Sequence, residues 1–108
     1  MKVYISGPIT GYPDRNSAAF SRAEDMLMMQ GHEVVNPLGI NADHEGPCVG
    51  GVFPEHDADH GHRYGCHLRA DILRMFECDA IWLLPNWEES KGARAEAQIA
   101  KALRLVIL

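Results

Sequence analysis

Four short apolar runs alternate with three stretches of helical periodicity, and that alternation leaves few folds open to the chain. The runs are Lys2–Ser6, Glu33–Asn36, Asp79–Leu84 and Arg104–Leu108. Each is too short for a helix, and the first three stop at Gly or Pro, so each reads as a strand. Between them, Phe20, Ala23, Met26 and Leu27 share helical spacing within about Asn16 to Gln30, with Gly31 as the stop. A second helical pattern runs from about Arg63 to Glu77, with Tyr64, Leu68, Asp71, Met75 and Cys78 on one stripe and Ile72 and Phe76 beside it. A third runs from Lys91 to about Leu103. Strands and helices that alternate with short connections predict parallel strands joined by right-handed crossovers. The expected fold is a three-layer α/β sandwich, flavodoxin-like or Rossmann-like. It has a four-stranded parallel sheet in the order 2-1-3-4 and three main helices, and ligands are expected at the carboxyl edge where strands 1 and 3 diverge.

With 108 residues the chain makes one domain. Its formal charge of −5 and its lack of basic runs argue against a general binder of nucleic-acid polymers or anionic membranes. No window approaches the roughly 18 apolar residues of a membrane span, and the N-terminal apolar run is too short for a signal peptide, so a cytoplasmic location is expected. Cys48, Cys66 and Cys78 are odd in number and lack a CxxC spacing, as reduced thiols would be.

The last helix carries the most informative pattern. Ser90 is a good N-cap, and the free N–H groups of the first turn favour an anion. Its inward stripe reads Ala93, Glu96, Ala100 and Leu103, with Ile99 beside it. A carboxylate on that stripe is out of place in a core, and Asp71 is a second one on the inward face of the preceding helix. Taken alone, Asp71 reads better as an edge position whose side chain reaches solvent or a neighbouring arginine such as Arg69 or Arg74. Near the N-terminus, Gly7-Pro8-Ile9-Thr10-Gly11 closes the first strand with a loop at the same sheet edge.

From Leu38 to about His62 the chain is irregular and rich in Gly and Pro. That segment and the residues just after it hold His44, His56, His60, His62 and His67 with Asp57, Asp59, Cys48 and Cys66. His56 and His60 have a spacing that metals use, but no four-ligand signature accompanies it, so the expectation is a solvated His-rich loop, with no metal and no cofactor required.

Three segments together resemble the nucleoside 2-deoxyribosyltransferase superfamily: Val3-Tyr4-Ile5-Ser6-Gly7-Pro8-Ile9-Thr10-Gly11, then Asp71-Ile72-Leu73 with Cys78-Asp79-Ala80-Ile81, then Ser90-x-Gly92-x-x-x-Glu96. Pro85-x-Trp87-Glu88-x-Ser90-x-Gly92-Ala93-x-x-Glu96 is similar to a small subgroup common in bacteria and their phages. The resemblance leaves the His-rich loop unmatched. It implies cleavage or transfer at the N-glycosidic bond of a nucleoside 5'-monophosphate or (deoxy)nucleoside. In that scheme Glu96 is the nucleophile, Asp71 the proton donor to the departing base, and Tyr4 the residue that orients Glu96. Serine rather than aspartate at position 90 tilts the implied substrate toward a nucleotide, with Ser6, Gly7, Gly11, Ser90, Gly92 and Arg15 as the phosphate or substrate-binding set. For Arg15, a solvated helix-start arginine is an equal reading. Asn86, Trp87 and the loop from Cys48 to His62 are candidates to read the base. Longer members continue past the fourth strand with an element that helps close a neighbouring subunit's site, so a homo-oligomer here would either assemble differently or leave the site more open. The competing reading is a nucleotide-binding or signalling module that keeps the pocket without turnover.

Overall fold

A computed structural model describes residues 1–40 and 64–108. The His-rich loop expected between Leu38 and His62 lies mostly outside the described residues, as do His44, Cys48, His56, Asp57, Asp59, His60 and His62. The strands are β1 (Lys2–Ser6), β2 (Glu33–Val35), β3 (Ala80–Leu83) and β4 (Val106–Ile107), and the helices are α1 (Ser17–Met29), α2 (Tyr64–Met75) and α3 (Lys91–Ala102). The sheet is parallel throughout, in the order β2-β1-β3-β4. Val3 pairs with Val34 on one side and Ala80 on the other, so β1 is the central strand of the expected three-layer sandwich.

Because side chains alternate along a strand, β1 feeds two cores. Val3 and Ile5 pack with Phe20, Ala23 and Leu27 of α1. Tyr4 faces the opposite side, where it packs with Ile81 of β3, Met75 of α2 and Ala100 of α3. A strand buried on both faces is what a parallel sheet covered by helices on each side requires. Among the described residues, no helix is long and apolar enough to cross a membrane.

Two helices end in the same way. After α1, Gly31 takes φ +89, with Gly31 N–H donating to the Met28 carbonyl and His32 N–H to that of Leu27. After α3, Arg104 takes φ +60, with Arg104 N–H donating to Lys101 and Leu105 N–H to Ala100. These paired bonds cap the last carbonyls of each helix through one left-handed residue. Glycine meets that requirement without strain at position 31; arginine meets it against a steric cost at position 104.

The inward stripes differ from expectation at their ends. Leu103 and Phe76 are exposed, and Ala97 joins Ala93, Glu96 and Ala100 on the buried face of α3. Periodicity locates a helix face but not the point where its neighbour stops. Leu103 falls just beyond α3, as its C-terminal cap.

At the end of β1, Gly7 is buried against β3's exit: a Cβ there would stand 2.7 Å from the Leu84 Cβ. Gly7→Ala is expected to destabilise the fold by about 1–3 kcal/mol, read as a lower urea midpoint with an unchanged slope. Arg104→Gly is expected to do the reverse, raising stability by about 0.5–1 kcal/mol through relief of the left-handed strain, also read from the urea midpoint.

Candidate functional site

Glu96 sits in the second turn of α3, 5% exposed, facing the sheet. Burying a carboxylate costs several kcal/mol unless donors replace its water. β1 supplies them. Tyr4 and Ser6, two residues apart and so on the same face of the strand, are both fully buried. The Tyr4 hydroxyl donates to Oε2 of Glu96, and the Ser6 hydroxyl donates to Oε1 at 2.8 Å. Ser6 is the last residue of β1, so the carboxylate lies at the carboxyl edge of the sheet.

Asp71 lies in α2, half-buried. Its carboxyl is pushed up to about 8, by burial first and by the nearby charge of Glu96 second, while the Arg15 guanidinium pulls the other way. Glu96 is also raised by burial, but its two hydroxyl donors favour the charged form and oppose that shift. The pair thus shares a proton, and the contacts place it on Asp71: Glu96 has donors for its anion, while Asp71 faces an anion. Tyr4 is held well above its ordinary value by burial and then by Glu96 and Asp71, so it remains a donor.

Arg15 reaches this cluster from an unusual turn. Asp14, Arg15 and Asn16 all take positive φ, at 49°, 55° and 62°. The turn is held by Ser17 Oγ donating to Asp14 at 2.6 Å and by Asn16 Nδ2 donating to the Pro8 carbonyl at 3.0 Å. Three successive left-handed residues without glycine store on the order of 1 kcal/mol or more each. The two bonds that hold the turn against that strain fix where the Arg15 side chain starts from.

The remaining predicted residues lie in the segments that follow β1 and β3 in the chain. Ser90 caps α3, its Oγ accepting from Ala93 N–H at 3.2 Å, and Gly92 is half-buried in the first turn. Gly11 is exposed with φ +83, and no atom stands within 4 Å of where its Cβ would be. Gly7 is packed under Leu84 as described. Asn86 is exposed in a left-handed conformation, and Trp87 is half-buried beside it. Sequence reasoning missed the bond from Ser6 to Glu96, although strand alternation already put Ser6 on the face of Tyr4. It also missed the electrostatic link from Arg15 to Asp71, for which the sequence offers no signal.

Cys66 and Cys78 are buried, and among the described residues no group of three or more His, Cys, Asp or Glu side chains could hold a metal. A separate cavity of about 320 Å³ opens beside β2, lined by Glu24, Asn36 and Arg74 among others. Its polar groups are already occupied: Asn36 donates to Glu24 at 3.3 Å, and Arg74 pairs with Glu77 at 3.1 Å.

Fold and site together define an open parallel α/β domain with a buried two-carboxyl cluster where its central strand ends. The chain belongs to the family described as Domain of unknown function (DUF4406), which it matches over residues 1–108. No curated protein matches it.

The Asp71 assignment has a measurable consequence. Its unfolded value lies near 3.8 and its folded value near 8, so between these the native state keeps a proton that the unfolded chain has released. The stability Asp71 contributes is full below about pH 4 and is lost as pH rises through 8. Asp71→Asn, which mimics the protonated acid, is expected to match the native protein near pH 4 and to exceed it by on the order of 5 kcal/mol at pH 8. Urea unfolding across that range checks this; an unchanged slope would place the proton elsewhere.

Proposed function

We propose that the protein cleaves or transfers the N-glycosidic bond of a nucleoside 5'-monophosphate or (deoxy)nucleoside through a glutamate glycosyl-enzyme ester. One observation carries the reading: a buried glutamate, held by two hydroxyls that favour its anion, stands close enough to Asp71 to help hold a proton on it near neutral pH. Displacement at an anomeric carbon needs that division between a charged nucleophile and a neutral acid.

In the first step a Glu96 carboxylate oxygen bonds to the anomeric carbon as the C–N bond breaks, and Asp71 gives its proton to the departing base. In the second, water or an acceptor base attacks the same carbon, its proton passes to Asp71, and the ester bond breaks to restore the Glu96 carboxylate. Tyr4, kept protonated by its surroundings, orients the nucleophile. The likeness of the Tyr4, Asp71 and Glu96 segments to the nucleoside 2-deoxyribosyltransferase superfamily supports the same roles.

A 5'-phosphate is best accommodated at the start of α3. The first-turn N–H groups favour an anion, Gly92 leaves room for it, and the Ser90 hydroxyl keeps its own hydrogen to donate after capping Ala93. Arg15 and the backbone at Gly11 complete the set. No step requires a metal or cofactor.

The test is incubation with each common nucleoside and 5'-monophosphate, followed by detection of free base. Release from at least one is expected, with Glu96→Gln slowing it at least about a thousandfold while the fold persists. Undiminished release by that variant would remove Glu96 from the chemistry. Thermal stabilisation by one nucleotide without any release would make the protein a nucleotide-binding module instead.

A further inference from the structure

The carboxylate of Glu96 is held at both oxygens, and the second holder is not a residue expected to act on it. Tyr4 bonds one oxygen. Ser6 bonds the other at 2.8 Å, from a position with no exposed surface. A fully buried hydroxyl needs a partner, and a buried carboxylate needs donors, so each contact answers two requirements at once. The strand fixes the geometry. Tyr4 and Ser6 project from the same face of β1 about 6.6 Å apart along it, and the carboxylate of α3 takes a bond from each. The Ser6 backbone is pinned as well, its carbonyl accepting from Leu84 N–H at 2.8 Å, and Gly7 beside it is packed against the Leu84 side chain.

We propose that Ser6 is a positioning residue for Glu96 rather than a ligand for substrate: its hydroxyl fixes Oε1 while Tyr4 fixes Oε2, holding the carboxylate in one plane and in its charged form. A single donor leaves a carboxylate free to rotate about its last torsion; two donors on opposite oxygens remove that freedom. Both are neutral, so they hold the anion without forming an ion pair that would have to be broken when the carboxylate loses its charge to an ester. Among the described residues, the titratable groups that interact with Glu96 are Tyr4 on β1 and Asp71 on α2; Arg15 acts in turn on Asp71, and Cys78 on Tyr4. The serine carries no charge, so its removal changes a hydrogen bond and nothing in the Coulomb field.

The catalytic meaning of this positioning rests on the reading of Glu96 as a nucleophile, but its test does not. The Glu96 side-chain carboxyl is followed by carbon-13 NMR across pH 3 to 10 in the full chain, with the resonance assigned by its loss in Glu96→Gln. In Ser6→Ala the Glu96 midpoint is expected to rise by about one to two pH units, with Ser6→Thr restoring most of the shift. If the native protein releases base, Ser6→Ala is also expected to lower kcat with KM unchanged and to move the acidic limb of the pH profile upward. An unmoved Glu96 midpoint in Ser6→Ala overturns the proposal, as does a raised KM for a 5'-monophosphate with kcat intact, which would make Ser6 a substrate ligand. Should no variant and no native protein release base, the glycosidase reading fails while the carboxyl midpoints still decide the role of Ser6.

Discussion

Everything at the functional edge depends on how a single carboxylate is kept out of water. Glu96 stands where α3 needs an apolar residue, and the fold tolerates it only because β1 turns two hydroxyls toward it. The same strand holds Val3 and Ile5 against α1 with its other face. Backbone alternation in five residues therefore builds half the core and the whole cage of the carboxylate. A shift of register by one residue would exchange these faces, placing apolar side chains against Glu96 and hydroxyls against Phe20 and Leu27.

Burial then orders the charges around that cage. Glu96 has neutral donors and little water. Asp71 has burial and a neighbouring anion, offset by Arg15. Two carboxyl groups of similar intrinsic acidity are thereby separated into one that favours charge and one that favours a proton. No strongly basic patch or deep apolar cavity is needed to make the cluster chemically distinctive; two hydroxyls on one carboxyl, and burial beside an anion for the other, suffice.

Much of this was legible before the coordinates. Short apolar runs between periodic stretches gave the strands, their parallel order and the helix faces, because in a covered parallel sheet pattern and burial coincide. Glu96 stood out as a charged residue at a core position, and Gly31 as the stop of α1. Other features had no pattern to read. The left-handed turn at Asp14–Asn16 contains none of the glycines that normally mark positive φ. Ser6 was visible as a same-face neighbour of Tyr4, but which side chain it would meet depends on how far α3 slides over β1. Leu103 and Phe76 kept the helical period yet are exposed among the described residues, since sequence spacing records a face and not its edge.

The cage around Glu96 also has a property of chain connectivity. Its two hydroxyls come from residues 92 and 90 positions before the carboxylate, so the contacts close a loop over most of the chain. Cutting anywhere in residues 41–63 would yield one piece with β1, α1 and β2 and another with α2, β3, α3 and β4. One piece would hold both donors and Arg15, the other both carboxyl groups. Neither could assemble the cluster by itself, and the chemistry would belong only to their reunion.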